Sequence, residues 1–209
     1  ALDATVGALK EELDLPDDYT VNIFMTVPTI TYSETVFGKL DGSTDIIPNT
    51  LENAEKIVKW YVDLSEREFK NSNFKNLRLT GFYWYSELVN YSSSPYDVEL
   101  IKYFTSYCHS REHAAIWIPY YGAPGFWEAN ELGFDVAALQ SGYAFPKDED
   151  SEVGNPKKGT CHDSMSIAKK YGLGVEMELQ LVSDALTRYS DYLAQAYMLG
   201  CMENGVTMY

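Results

Sequence analysis

Three glutamates near the ends of two predicted strands carry the side chains best suited to acid–base chemistry. Glu176 and Glu178 lie in the segment 174–179, where they alternate with apolar residues and therefore share one face of a strand. Glu87 follows the segment 77–85. In the alternation of side chains along that strand it falls on the inward face, at the carboxyl end of the strand. Inward-facing carboxylates are costly unless they are paired or used by a site. We therefore take all three as candidate catalytic residues.

Glycoside hydrolysis is the chemistry that needs such a set, because it uses one carboxyl group as acid and another as nucleophile or base. The aromatic run 82–85 just before Glu87 favours a raised pKa and hence the acid role. Glu178 is the predicted nucleophile, and Glu176, one layer deeper, is the fallback. Further residues at the strand ends are predicted to bind a sugar, mostly by stacking on its apolar face: Tyr83, Tyr85, Tyr120, Tyr121, Trp127, Gln140 and Tyr143.

The elements that must position these residues alternate between strands and helices, which indicates parallel strands joined by right-handed crossovers. No glycine-rich phosphate loop follows the first strand, so a nucleotide-binding doubly wound sheet is disfavoured. We predict an α/β fold of the parallel (β/α)8 TIM-barrel type. The strands are expected near residues 21–27, 77–85, 114–121, 135–140 and 174–179. Helices are expected over 1–14, 51–71, 94–110, 161–171 and 187–202, with a polar loop at 28–50 and a charged loop at 147–159.

The length of 209 residues is short for a complete barrel, which typically needs ~250. Glu87 ends the second predicted strand and Glu178 lies on the fifth, three strands later. Glutamates at strands four and seven are the arrangement of a large clan of retaining barrel glycosidases, which this spacing resembles, although Ser86 replaces the usual Asn. We therefore expect a single domain over residues 1–209 that holds strands three to eight of an incomplete barrel, as part of a larger domain.

Four segments of the chain resemble a bacterial family known as domain of unknown function 4855. They are residues 74–84, 117–125, 132–137 and 170–176, and they include the sequences Trp117-Ile118-Pro119-Tyr120-Tyr121-Gly122 and Tyr171-Gly172-Leu173-Gly174-Val175-Glu176. The resemblance implies a glycosidase-like barrel with a carbohydrate substrate. It also implies a secreted or cell-surface bacterial protein.

The charge balance excludes several other classes of partner. Lys and Arg number 16 and Asp and Glu 31, a formal net charge of −15. Such a chain is unsuited to a phosphate backbone or an anionic membrane surface, and it has no apolar stretch of the ~20 residues that a membrane span requires. Its acidity suits a neutral or amino-sugar polymer. Oligomeric state is left open, and neither a cofactor nor a metal is predicted.

Alternative readings rest on weaker motifs. Residues 109–113 match the H-x-x-E-H pattern of some zinc proteases, which would make a metal-dependent hydrolase with both histidines on one helical face. Residues 41–45 faintly resemble a calcium loop, but the spaced glutamate is missing. The main alternative is a non-catalytic carbohydrate-binding barrel, which follows if Glu87 and Glu178 do not converge.

The three cysteines lack a pairing pattern and are predicted to be free thiols.

Overall fold

The computed structural model describes residues 1–42, 44–144, 161–179 and 185–208, without the side chain of Asn204. The chain forms two compact units. Unit 1 comprises Ala1–Tyr85 and Ser92–Ala115, and unit 2 comprises Ser86–Tyr91 and Ile116–Tyr209. The charged loop predicted at residues 147–159 lies outside the described residues.

Unit 1 is built from helices and strands at most of the positions that the sequence predicts. Its elements are α1 (Leu2–Glu12), β1 (Val21–Val27), β2 (Gly38–Lys39), β3 (Asp45–Ile46), α2 (Leu51–Asn71), β4 (Leu77–Trp84) and α3 (Asp97–Ser110). Strands β1 and β4 pair in parallel, from Val21 opposite Leu77 to Val27 opposite Trp84. The predicted polar loop at 28–50 contains a short antiparallel ribbon, β2–β3.

Helix α2 shows how local sequence shapes unit 1. The Thr50 hydroxyl accepts a hydrogen bond from the Asn53 N–H at 3.2 Å, which satisfies a donor that the helix start leaves open. The apolar residues recur at helical spacing and bury one face of the helix. That buried face comprises Ala54, Ile57, Val58 and Val62.

Unit 2 carries the remaining strands. The elements are β5 (Ala114–Trp117), which begins at the end of unit 1, a 3-10 helix (Phe126–Glu128), β6 (Val136–Gln140), α4 (Cys161–Tyr171), β7 (Gly174–Glu176), α5 (Ala185–Leu199), α6 (Cys201–Asn204) and β8 (Thr207–Met208). Strands β5 and β6, β6 and β7, and β7 and β8 pair in parallel. Within each unit, strands that follow one another by crossover are therefore parallel neighbours, and the predicted α/β fold with parallel strands is confirmed.

Three predicted elements of unit 2 are shorter than expected. Strand β5 ends at Trp117 rather than at residue 121, because Pro119 cannot donate a ladder hydrogen bond. Strand β7 ends at Glu176, opposite the last residue of β6, and Leu179 is 53% exposed instead of packed with its neighbours. The helix predicted over 187–202 breaks at Gly200, whose φ of +72° is left-handed.

A membrane span is not found in the part of the chain that the structure describes, where no helix is both long and apolar enough to cross a bilayer.

Candidate active site

Glu176 is positioned by the pairing of β6 and β7, which sets it opposite Gln140. Its neighbours Val175 and Met177 are buried, whereas Glu176 is half-buried, so the predicted alternation of faces is confirmed. The Gln140 side chain is near enough to the Glu176 carboxyl group to act on its pKa in the lowering direction. The Gln140 backbone is held in turn by its N–H, which donates to the Pro119 carbonyl at 2.9 Å. Glu176 thus lies at the carboxyl end of a parallel strand on a rigid support.

One carboxyl oxygen of Glu176 is unusual among the described residues. Its Oε2 is buried, and no described group forms a hydrogen bond with it. Burial raises the pKa of Glu176, and the nearby Gln140 side chain opposes that rise. A buried polar atom without a partner costs free energy, and such atoms are often found where a site is built for a ligand or a proton.

Glu87 lies on a short segment that unit 2 anchors at two points. The Trp117 indole N–H donates to the Ser86 carbonyl at 2.7 Å, directly before Glu87. Two residues after it, the Val89 N–H donates to the Pro124 carbonyl at 2.9 Å. Because both bonds involve the backbone of the segment, the position of Glu87 is set by tertiary contacts rather than by the strand that precedes it.

The electrostatic environment of Glu87 favours its protonated form. The side chain is exposed to solvent, yet neighbouring groups reduce its hydration, and this is the largest cause of its raised pKa. The second cause is the negative charge of Glu176. Two carboxyl groups that repel each other in this way retain a proton more readily than an isolated glutamate does.

Glu178 is held by the loop that follows β6. Its Oε2 accepts a hydrogen bond from the Gly142 backbone N–H at 2.8 Å, and a bond of this kind favours the negative carboxylate. Its charge adds to the effect of burial, the main cause, in raising the pKa of Tyr192 to about 12. The group whose charge acts on Glu87 is therefore the fallback residue Glu176. The retaining arrangement expected from the strand spacing, which would hold the Glu87 and Glu178 carboxyl groups ~5–5.5 Å apart, stays a prediction.

Tyr143, a predicted sugar-binding residue, is held by contacts with α5. Its hydroxyl donates to Asp191 Oδ2 at 2.6 Å, and its carbonyl accepts from Arg188 Nη1 at 2.7 Å. The Arg188 guanidinium also lies 5.7 Å from the centre of the Tyr143 ring. The Tyr192 ring packs edge-to-face against the Tyr143 ring, with 5.6 Å between the ring centres. These contacts make Tyr143 an anchor between the loop after β6 and α5.

The residues that hold Tyr143 were missed in reading the sequence. Asp191 and Tyr192 lie three and four residues after Arg188, so both lie next to it on one face of α5. That spacing was the available signal. Ser141 is a fourth residue that helps to hold Tyr143. It is fully buried, and its hydroxyl forms a hydrogen bond with the Tyr192 hydroxyl.

The other predicted sugar-binding residues are placed in two groups. Tyr120 and Tyr121 are half-buried in unit 2, where the Tyr121 N–H donates to the Gln140 carbonyl at 2.8 Å, and Trp127 is 44% exposed. Tyr83 and Tyr85 belong to unit 1, and their rings meet edge-to-face at 6.3 Å. The predicted sugar-binding residues thus fall into one group in unit 1 and one group in unit 2.

The H-x-x-E-H segment does not have the geometry that a zinc protease requires. Helix α3 ends at Ser110, so His113 lies outside the helix and does not share a helical face with His109, contrary to our expectation. His113 Nε2 instead lies 2.9 Å from Glu66 Oε1. Within the described residues, no group of three or more His, Cys, Asp or Glu side chains is arranged to hold a metal ion.

The two remaining motifs are described in part. In the segment 41–45, the Thr44 N–H donates to Asp41 Oδ1 at 3.3 Å, as in a turn, while Ser43 lies outside the described residues. The structure holds Cys108, Cys161 and Cys201 as free thiols.

Comparison with known proteins identifies the family of the chain. No curated protein matches the sequence. One family model matches it over its whole length, residues 1–209. The segments that carry the resemblance noted from the sequence include β4, which precedes Glu87, and β7, which carries Glu176. The chain therefore belongs to the family described as Domain of unknown function (DUF4855).

Proposed function

We propose that the protein is a glycoside hydrolase that acts on a neutral or amino-sugar oligosaccharide or polysaccharide, built on an incomplete (β/α) barrel. The observation that carries the proposal is the raised pKa of Glu87 next to the charge of Glu176. A glycosidase needs one carboxyl group that stays protonated near neutral pH and another that stays ionised. The parallel strands in sequence order support the barrel.

The proposed roles divide the three glutamates. Glu87 gives its proton to the glycosidic oxygen as the bond from the anomeric carbon to that oxygen breaks. The Glu178 carboxylate attacks the anomeric carbon and forms a glycosyl ester. Glu87, now ionised, removes a proton from a water molecule, which hydrolyses the ester and restores both groups. Glu176 is a positioning residue, since its negative charge adds to desolvation, the larger cause, in raising the pKa of Glu87.

Two features of the environment support these roles. The hydrogen bond from the Gly142 N–H orients the Glu178 carboxylate and stabilises its negative charge. Glu87 remains exposed to solvent, as a group that must contact a polymer requires, whereas Glu176 is half-buried.

A hydrolysis screen of the full protein against a panel of neutral, amino-sugar and sulfated glycans tests the proposal. We expect cleavage of a neutral or amino-sugar glycan with retention at the anomeric carbon, followed by NMR. Glu87→Gln should lower turnover by ~10²–10⁴-fold, because it removes the acid. Glu131→Gln, the same change at an exposed position of unit 2, is the matched control. Wild-type turnover in Glu87→Gln, or no cleavage of any glycan, would overturn the proposal.

A non-catalytic carbohydrate-binding protein is the second candidate. It is favoured by aromatic side chains that stay exposed in unit 2, Trp127 above all. Binding of a glycan without cleavage by the wild type would establish this function instead.

A further inference from the structure

Two exposed aromatic rings of unit 2 are tied to one carboxylate. Tyr91 is 49% exposed and Trp127 is 44% exposed. The Tyr91 hydroxyl donates to Glu128 Oε2 at 2.8 Å, and the Trp127 indole N–H donates to Glu128 Oε1 at 3.1 Å. We call these three residues the aromatic platform. Each oxygen of Glu128 has one ring as its donor, so the carboxylate orients both rings at once.

The backbone beneath the platform allows this arrangement. Gly125 has a left-handed φ of +87°, and a Cβ there would lie 2.3 Å from Val89 Cγ2 and 3.0 Å from the Tyr91 hydroxyl oxygen. Only glycine therefore lets the Tyr91 segment pack directly on the chain before Trp127. The Phe126 ring also packs edge-to-face against the Trp127 ring, with 5.2 Å between the ring centres. The rings are thus oriented by the fold before any ligand binds.

Large rings that are both exposed and oriented are suited to a ligand with a flat apolar face. A pyranose ring has such a face, and stacking on a pre-oriented ring avoids the entropy cost of ordering a mobile side chain. The negative Glu128 at the base of the platform, in a chain of net charge −15, disfavours sulfated sugars and uronic acids. The ligand class is therefore a sugar that is uncharged or carries an amino group.

The platform is also connected to the proposed acid. Tyr91 lies four residues after Glu87 on the same segment, which is anchored to Trp117 and Pro124. We infer that the aromatic platform of Tyr91, Trp127 and Glu128 is a subsite that binds one unit of a neutral or amino-sugar chain. The inference rests on the proposed function, whose substrate class and subsite it specifies.

Binding measurements on the Glu87→Gln protein test the subsite apart from catalysis. Isothermal titration would use chitooligosaccharides and neutral glucan oligosaccharides, with a sulfated oligosaccharide for comparison. Trp127→Ala should weaken binding roughly tenfold or more, because an exposed aromatic anchor is lost. Tyr197→Ala, which removes a ring that is 74% exposed on α5, is the matched control and should bind as the parent does.

A second pair of variants separates orientation of the rings from their presence. Both variants keep the Trp127 ring. Glu128→Ala removes the hydrogen bonds that Tyr91 and Trp127 donate to the carboxylate, whereas Tyr91→Phe removes only the bond from Tyr91. We expect each variant to bind several-fold more weakly, with a changed near-UV circular dichroism signal from tryptophan and an unchanged far-UV spectrum. A folding defect would instead change both spectra.

The outcomes distinguish this inference from the proposed function. Parental affinity in Trp127→Ala and Glu128→Ala, with hydrolysis by the wild type, would overturn the platform and leave the glycosidase intact. Weakened binding in these variants, without hydrolysis by the wild type, would support the platform in a carbohydrate-binding protein. Tighter binding of the sulfated oligosaccharide, or no binding of any sugar, would overturn the inference.

Discussion

Carboxylates are treated in opposite ways in the two units. In unit 1, Glu66 accepts a hydrogen bond from Arg111 Nε at 3.1 Å and lies 2.9 Å from His113 Nε2. Asp63 accepts from Lys59 at 2.6 Å and from Tyr107 at 2.5 Å. Burial alone would raise the pKa of Asp63, but these hydrogen bonds outweigh it and lower the pKa.

In unit 2, the described groups that act on the candidate pair include no cation. Burial raises the pKa of Glu87 and of Glu176, and the charge of Glu176 raises that of Glu87 further. Among the described residues, the group that opposes the rise in the pKa of Glu176 is the neutral amide of Gln140. Carboxylates that pair with cations, as in unit 1, stabilise the structure. The raised pKa of Glu87 instead favours its protonated form, as acid catalysis needs. The difference in partners thus separates structural acids from candidate catalytic ones.

The largest expected effect concerns Glu178, just after β7, and Glu176, the last residue of β7. Glu178→Gln should lower turnover at least as much as Glu87→Gln, because an amide cannot serve as the nucleophile. Glu176→Gln should keep turnover but shift its pH dependence. Removing the charge of Glu176 lowers the pKa of Glu87. As the pH rises, the variant should therefore lose activity at a lower pH than the wild type does. Rates measured across pH for both variants decide the roles; loss of turnover in Glu176→Gln alone would exchange them.

The next effect is on the stability of unit 1. Glu66→Gln should lower the free energy of unfolding by about 1–3 kcal/mol, because Arg111 and His113 lose a negative partner and the amide keeps only one of the two acceptor oxygens. Glu68→Gln, two residues later on α2, is the matched control, since its ion pair with Arg67 is exposed, and it should change stability little. Urea titrations compare the two, and equal effects would contradict the comparison.

A change of opposite sign is expected in unit 2. The raised pKa of Glu176 means that its ionisation opposes folding above the unfolded pKa of about 4.3. Glu176→Gln should therefore raise the free energy of unfolding by about 1 kcal/mol at pH 7, and this gain should disappear below pH ~4. Thermal unfolding at several pH values measures it, with Glu131→Gln as control. Destabilisation at pH 7 would show that Glu176 has a structural role.

The smallest effect concerns Asp63. Its lowered pKa contributes stability above the unfolded value of about 3.9, and this contribution is lost as the pH falls through the folded value. Asp63→Asn should cost less than about 1 kcal/mol at neutral pH, because the side chain is 40% exposed. The cost should shrink in acid, and a cost that grows as the pH falls would contradict this assignment.

Much of the local structure follows from sequence periodicity alone. The alternation around Glu176 correctly predicts which side chains are buried, because side chains on a strand point to opposite faces in turn. The positions of β1, β4 and β6 follow from apolar runs bounded by turn residues. The raised pKa of Glu87 was also expected, although the main charge acting on it was not identified.

Contacts between distant segments needed the tertiary structure. The influence of Glu176 on Glu87 depends on how the 86–91 segment is anchored by Trp117 and Pro124. The aromatic platform joins Tyr91 to Glu128, 37 residues away. The exposure of Leu179 depends on where β6 stops pairing. Periodicity reports which face a side chain takes within its own element, but the partner on that face is chosen by register and packing between elements, which no local pattern encodes.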